Sequence, residues 1–326
     1  MAPERRTTRL APSPTGDLHL GNLRSLLVGW ALARRLGWNV VLRIEDLDGD
    51  RCRAEWEAVI IQGMRWLGMD WDGSERRQSD RIDQYASAMR PLSEAGLVFS
   101  CQRSRRELRA AAEALGAPHA GEGSTISTVA MRPTSPDRLG FTRRAGNHRL
   151  MVDPRPETVR DELLGEQEVD VSGRFGDPIV WTRRDTPSYQ LAVVVDDLDQ
   201  GVTDVVRASD LLPSAGLQQR ITGLLGGDAP RWWHLPLLLD EGGRRLAKRD
   251  GDLTLGRLRS EGTRPEMIIG LLARTCEMQE DADPMTAEAF VSELDPERLR
   301  GWAVRDGSAH RDRLRASDYE LLRIHR

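Results

Sequence analysis

Three short stretches of this 326-residue chain carry side chains that could do chemistry together. The first is Arg9-Leu10-Ala11-Pro12-Ser13-Pro14-Thr15-Gly16-Asp17-Leu18-His19-Leu20-Gly21-Asn22. A strand-like stretch leads into it and an amphipathic stretch leaves it. Ligands of open parallel sheets bind at the carboxyl ends of strands, and helix N-termini attract phosphate. Gly21 would let a nucleotide base come close to the backbone, and His19 can donate to phosphate oxygens. An isolated H-x-G is better explained as a capping histidine in a Pro-rich loop. The full string between strand and helix favours a binding loop. The second stretch is Arg43-Ile44-Glu45-Asp46-Leu47-Asp48, at the end of the next strand. A carboxylate at Glu45 faces the same cleft and can hold an ammonium group. Asp46 and Asp48 read more simply as solvated acids or caps. The third runs from Leu237 to Asp250: an apolar strand, a Gly-rich turn and a basic loop. That loop holds Lys248, the one lysine among 47 cationic residues. A compact ammonium can follow a pyrophosphate as charge moves onto it, whereas arginine's planar fork suits a fixed bidentate geometry.

These residues need a frame. The pattern predicts a strand over 7–11, a helix over 23–36 closed by Gly37, and a doubly buried strand over 39–44. Strand, helix and strand in about forty residues make a βαβ unit, hence a parallel sheet with a right-handed crossover. Helices are expected over 54–67 and 80–95, a strand over 97–101 and a helix over 105–115. Residues 116–136 are rich in Gly, Ser, Thr and Pro and read as irregular. Short strands are expected at 149–153, 168–171 and 179–182. The alternation resumes with a strand over 189–195, a helix over 211–225 and a strand over 234–239; beyond 252 the chain is helical and mixed. The fold class is α/β, a doubly wound parallel sheet.

Composition narrows the classes. The length suits about two domains of ~150 residues. A formal charge of −4, with 39% hydrophobic and 30% charged residues, describes a globular protein without an overall basic field. Any nucleic-acid contact must come from a local patch. Cys52, Cys101 and Cys276 are too few and too scattered for a disulfide framework, which points to a reducing cytoplasm. Residues 1–9 lack the apolar core of a signal peptide, and no apolar run could span a bilayer. A cytoplasmic monomer without a membrane partner is expected.

Together the motifs resemble those of the class I glutamyl-tRNA synthetases, and more nearly their stand-alone glutamyl-queuosine tRNA(Asp) branch. Arg9 to Asn22 resembles the "HIGH" segment, and Arg43 to Asp48 the family's R-I-E-D-x-D. Tyr189 to Asp197 followed by Gly201 to Leu211 resembles Y-x-L-A-V-V-V-D-D…G-V-T-x-V-V-R-G-x-D-L. Arg245 to Arg249 stands where the "KMSKS" loop would be. The resemblance covers most of the chain, from Arg9 to Asp250.

It implies a Rossmann-like catalytic domain split into 1–98 and 186–250, the second half ending in the KMSKS-like loop. A small α+β acceptor-binding-like subdomain would be inserted at 99–185, and a short helical C-terminal domain would span 251–326. It implies that Arg9, Ala11, Ser13, Glu45, Tyr189 and Arg207 bind L-glutamate. Pro12, His19, Gly21, Asn22, Arg245 and Lys248 would bind ATP, with His19 and Lys248 as the catalytic groups and Mg²⁺ on the phosphates. Two arginines suit a substrate with two carboxylates. The implied reaction is attack of the glutamate α-carboxylate on the ATP α-phosphate, then transfer of the glutamyl group to an RNA hydroxyl. About 80 residues follow Lys248, against roughly 150 or more for an anticodon-binding domain. That shortage fits the branch that treats the anticodon loop of tRNA(Asp) as substrate and glutamylates its queuosine.

Some positions depart from the pattern. Asn22 stands where the signature ends in His, and Arg245 and Ala247 replace a Lys and a Ser. Of the zinc ligands in many relatives only Cys101 remains, with His119 the one other ligand type nearby. Such a pair cannot close a tetrahedral site, so no metal is expected. Arg103, Arg105, Arg106 and Arg109 suit either a phosphate-contacting helix face or a solvated one. His148, His234, His310 and His325 read as structural, and Trp232 and Trp233 as packing. Asp196 and Asp197 read as a strand-end cap on the cleft side. The alternatives are a truncated synthetase charging the 3′ end of tRNA(Glu) and a non-catalytic nucleotide- or RNA-binding paralogue. A small nucleotidyltransferase would not need Arg9, Glu45 and Arg207.

Overall fold

A computed structural model describes residues 5–102, 107, 132–133, 140–144, 146–244, 246, 253–305, 308–309 and 311–322. The first elements follow the sequence pattern closely. Strand β1 (Thr7–Leu10) leads through the Pro-rich loop to α1 (Leu20–Leu36), and β2 (Asn39–Ile44) returns beside β1. The two strands pair in parallel from Thr7↔Asn39 to Leu10↔Leu42. Gly37 ends α1 at φ 72°, a left-handed position that glycine takes without a Cβ penalty. Then come α2 (Ala54–Trp66), β3 (Arg76–Arg77), α3 (Ile82–Glu94) and β4 (Val98–Cys101).

The middle of the chain supplies β5 (Asn147–Leu150), β6 (Glu157–Asp161), β7 (Gly165–Val169), α4 (Val171–Phe175) and β8 (Ile179–Trp181). Strands β4, β5 and β8 form an antiparallel sheet of their own. The helix expected over 105–115 lies outside the described residues except for Glu107. So does the stretch 116–136 except for Arg132 and Pro133.

The alternation then resumes, shifted from expectation. Residues 189–195 are not a strand. They begin α5 (Tyr189–Asp199), whose Ser188 N-cap accepts a hydrogen bond from Leu191 N. The strand is β9 (Asp204–Ala208), followed by α6 (Leu212–Leu224), β10 (Arg231–Leu235) and β11 (Leu237–Leu239). The run Leu191-Ala192-Val193-Val194-Val195 is apolar because α5 packs inside the molecule. A short apolar run has the same appearance in a buried helix and a buried strand.

The paired strands lie in the orders β1-β2-β3 and β7-β6-β10-β9. Only β7 runs antiparallel to its neighbour. The two sheets meet at β1 and β9. There Thr203 N donates to Thr7 O (2.9 Å) and Thr8 Oγ1 donates to Asp204 O (2.8 Å). The carboxyl ends of β1, β2, β9 and β10 therefore open on one side.

The C-terminal region contains α7 (Leu255–Ser260), α8 (Pro265–Thr275), α9 (Ala287–Glu293) and α10 (Pro296–Ala303). It also holds strands β12 (Val304–Arg305), β13 (Ser308–Ala309) and β14 (Arg311–Arg313), and ends with α11 (Ala316–Leu321). It is thus not purely helical. Strand β14 pairs in parallel with β11, and Trp302, Leu314 and Leu322 join the core that also buries α1.

Candidate active site

The loop after β1 is shaped by His19. Its backbone is extended (φ −82°, ψ 160°), and its Nδ1 accepts from Gly21 N (3.1 Å) and Asn22 N (3.3 Å) at the start of α1. Nδ1 is therefore the acceptor, and a neutral ring carries its proton on Nε2. A Cβ on Gly21 would sit 3.1 Å from the His19 ring, so the glycine makes room for the cap itself. Asp17 Oδ2 accepts from Gly256 N (2.7 Å), and Leu255 N donates to Leu18 O (2.8 Å). Leu246 lines the cavity described next. Both flanks of the basic loop are thereby held at this wall. Arg245 and Lys248 themselves lie outside the described residues.

A cavity of about 420 Å³ occupies the shared strand ends. Arg9, Ala11, Pro12, Ser13, His19, Gly21, Asn22, Glu45, Tyr189 and Arg207 all line it. Every described residue expected to bind glutamate or ATP is thus gathered around one hollow. A larger hollow of about 1220 Å³ shares Ser13, Thr15, Glu45 and Tyr189 with it and extends past Arg51, Arg149, Arg183 and Arg184 toward β5 and β8. The smaller one is where the candidate chemistry converges.

Two arginines on β-strands dominate the electrostatics. Arg43, on β2, is fully buried. Its Nη1 donates to Asp197 Oδ1 (2.7 Å) and Gln200 Oε1 (3.0 Å), and its Nη2 to Glu45 Oε1 (3.3 Å). Asp196 Oδ2 lies 3.8 Å from its Nε. Burial alone would depress this guanidinium, but Asp197, Glu45 and Asp196 together raise it above its ordinary value. Burial pushes Glu45 up, opposed by Arg43 and Arg9. Asp196 is fixed further by Gln78 Nε2 (2.8 Å), Arg81 Nε (2.8 Å) and Tyr85 OH (2.9 Å). The expectation that Asp196 and Asp197 cap a strand is therefore corrected. They lie on α5, buried, and clamp that helix to β2 and α3.

Arg207, on β9, has the opposite surroundings. Its Nε donates to His234 Nε2 (3.1 Å), its Nη1 to Gln218 Oε1 (2.8 Å) and its Nη2 to Leu211 O (3.2 Å). Its guanidinium lies over the Trp232 ring, 4.8 Å from the centroid. Burial depresses it to about 10, with Arg9 adding repulsion, which still leaves it charged at neutral pH. Arg9 donates to Val206 O (3.3 Å), and its buried Nε has no hydrogen-bond partner, the nearest carboxylate being Asp197 at 3.7 Å. The hollow thus presents two incompletely matched guanidinium groups and one carboxylate, Glu45.

Sequence reasoning missed Asp161, Gln190 and Gln218, which support this wall, and placed His234 only as structural. The predicted strand began at position 234, whereas β10 spans Arg231–Leu235 and so carries His234 to its carboxyl end, which the sequence pattern did not signal. Among the described residues no group of three or more His, Cys, Asp or Glu is arranged to hold a metal ion; His119 lies outside them. No helix among them is long and apolar enough to cross a membrane.

Comparisons with known proteins follow the same residues. A model of class I tRNA synthetases (E and Q), catalytic domain, matches residues 6–304. A glutamyl-Q tRNA(Asp) synthetase of Nocardia farcinica is 39% identical over 300 residues, covering 91% of this chain and 93% of that protein. A glutamate–tRNA ligase of Burkholderia thailandensis is also 39% identical, over 295 residues, covering 90% of this chain and 62% of that protein. The crystal structure of a glutamate tRNA ligase from Elizabethkingia meningosepticum, in complex with its amino acid, superposes with a TM-score of 0.78 at 25% identity. That match covers 98% of this chain and 69% of the other.

Proposed function

The chain belongs to the class I tRNA synthetase family for Glu and Gln, and on that premise we propose that it activates L-glutamate with ATP and esterifies the queuosine of tRNA(Asp). The α-carboxylate attacks the α-phosphate in line, giving glutamyl-adenylate and pyrophosphate. The RNA hydroxyl then displaces AMP. Catalysis is mainly positioning and charge stabilisation. Arg9 and Arg207 take the two substrate carboxylates, Glu45 the ammonium group, and Ala11, Ser13 and Tyr189 complete the wall. The triphosphate, carried with Mg²⁺, lies along Pro12, His19, Gly21 and Asn22. Arg245 and Lys248 meet the departing pyrophosphate from the loop whose flanks are tied to this wall. The domain division expected from sequence and a cytoplasmic setting belong to the same proposal.

One observation carries the amino-acid half of this reading. A single cavity sets the incompletely matched Arg9 and Arg207 against Glu45, beside the His19 cap of α1. The test is ATP–pyrophosphate exchange without tRNA, run separately with glutamate, glutamine and aspartate. Exchange with glutamate alone is expected; no exchange with any of them, with or without tRNA, would favour the non-catalytic alternative.

The acceptor is supported by the Nocardia relative, matched over 93% of its own length. The Burkholderia relative, at equal identity, favours a second reading, in which the 3′ end of tRNA(Glu) is charged. Loss of the product ester when tRNA(Asp) lacks queuosine supports the first reading. An ester on tRNA(Glu), indifferent to queuosine, supports the second.

A further inference from the structure

We propose that Asp161 and His234 form a positioning pair that holds Arg207 through a neutral acceptor, so that the guanidinium keeps its charge for the second carboxylate of the amino acid. The inference rests on the glutamate reading above and deepens it.

The chain of bonds has one consistent assignment. Asp161 Oδ1 accepts from Leu163 N and Leu164 N, both at 2.9 Å. Its Oδ2 accepts from His234 N (3.1 Å) and lies 2.6 Å from His234 Nδ1. Three backbone N–H donors already engage this carboxylate, and a ring N–H at Nδ1 completes its acceptor set. The proton between Asp161 and the ring sits on Nδ1. The other ring nitrogen, Nε2, is left as an acceptor, and it faces Arg207 Nε at 3.1 Å. An imidazolium there would point a donor at a donor. Both His234 and Asp161 are buried, so no bulk water compensates a wrong tautomer.

The remaining partners follow the same rule. Gln218 presents its carbonyl to Arg207 because its Nε2 is engaged by Gln190 Oε1 (2.8 Å), and Gln190 Nε2 donates to Ser214 Oγ (3.1 Å). Leu211 supplies a backbone carbonyl. Three neutral acceptors use three of the five guanidinium N–H groups and leave one on each Nη for an anion. A carboxylate in direct contact would orient Arg207 equally well but would cancel its charge. The Asp161 carboxylate acts one imidazole ring away, fixing the acceptor without forming the ion pair. His234 is in this sense a positioning residue, acting through Arg207.

The test uses the full chain in tRNA-free ATP–pyrophosphate exchange, with KM measured separately for glutamate and ATP. His234→Asn keeps a donor toward Asp161 and removes the acceptor for Arg207. It should raise the glutamate KM about 10- to 100-fold, the range expected for losing a hydrogen bond to a charged group, with the ATP KM within about twofold. His234→Gln, whose carbonyl can stand near Nε2, should recover part of the loss. The preference for glutamate over glutamine should narrow in the Asn variant and widen again in the Gln variant. A merely structural role would reduce the active fraction without moving one KM alone.

An unchanged glutamate KM in His234→Asn, with wild-type exchange intact, overturns the pair while glutamate activation stands. A wild type that exchanges with no amino acid, with or without tRNA, overturns both. Imidazole ¹⁵N shifts of the folded wild type give a readout that survives misfolding of a variant. They should show a protonated Nδ1 and a bare Nε2 at pH 7, and the opposite tautomer would refute the proposal.

Discussion

Arg43 and Arg207 are both buried on parallel strands, and the chain treats them in opposite ways. Arg43 meets three carboxylates, from Asp196, Asp197 and Glu45. Its charge is spent inside the protein, joining β2 to α5. Arg207 meets an imidazole nitrogen, an amide oxygen and a backbone carbonyl. Its charge is held in place but not cancelled. A buried ion pair organises a core, whereas a buried guanidinium among neutral acceptors is prepared for an anion from outside. The difference separates a structural cation from a binding cation where burial alone cannot.

Arg43→Leu should break the comparison most severely. It leaves Asp196, Asp197 and Glu45 buried without their shared counter-ion, a situation that costs about 3–5 kcal/mol. Urea unfolding at pH 7 should show a loss of that size. A loss below about 1 kcal/mol would mean that Arg43 does not hold α5 to the sheet.

Arg207→Leu should divide its effects the other way. Three neutral acceptors, His234 Nε2, Gln218 Oε1 and Leu211 O, lose a partner, so the fold should weaken by only about 1–3 kcal/mol. Glutamate-dependent pyrophosphate exchange should fall by about 100-fold or more, corresponding to about 3 kcal/mol of lost binding to a charged substrate group. Equal exchange in variant and wild type would remove Arg207 from the glutamate site.

The two arginines were not equally legible. The Arg9–Asn22 and Arg43–Asp48 strings stand where a βαβ unit turns, and strand β2 was expected within the bounds it has. Local pattern was enough, because β1, α1 and β2 are consecutive and pair with each other. What could not be read was long-range pairing. Asp196 and Asp197 belong to α5 because Arg43, 154 residues from Asp197 by the hydrogen bond that joins them, takes their charge. Asp161 supports a histidine 73 positions later, from a strand that the alternation of residues did not announce. Composition and spacing show which residues can do chemistry. They do not show which charges are already paired inside the fold, and that decides which arginine can bind substrate.

The His234 ring gives a pH-dependent handle on the same contrast. Burial pushes it down to about 4 from an ordinary 6.5, with Arg207 pushing the same way and Asp161 opposing. Arg9 adds a weaker repulsion. Below pH 6.5 the unfolded chain takes up a proton that the folded one refuses. Its stabilising contribution is therefore complete above 6.5 and is lost as pH falls toward 4. The loss is on the order of 2 kcal/mol by pH 5 and about 3 by pH 4. His148 is also depressed by burial, so the wild type must be compared with His234→Gln. Denaturation at pH 7 and pH 5 should show a steeper loss in the wild type, and parallel losses would mean that His234 titrates normally.

Gln218→Glu sharpens the comparison most directly, since it gives Arg207 a partner of the kind Arg43 already has. The new carboxylate would stand where Gln218 Oε1 now accepts from Nη1 at 2.8 Å. The amide of Gln190 can turn to donate to it, so the change removes no obligatory bond. The fold should tolerate it, because the pair formed is a hydrogen-bonded ion pair rather than an isolated charge. Glutamate, however, would now compete with an internal anion for the same guanidinium. Its KM should rise about tenfold, equivalent to about 1.4 kcal/mol, while the ATP KM stays where it is. An unchanged glutamate KM would show that neutral surroundings are not what makes Arg207 available. The contrast with Arg43 would then be one of geometry rather than of charge.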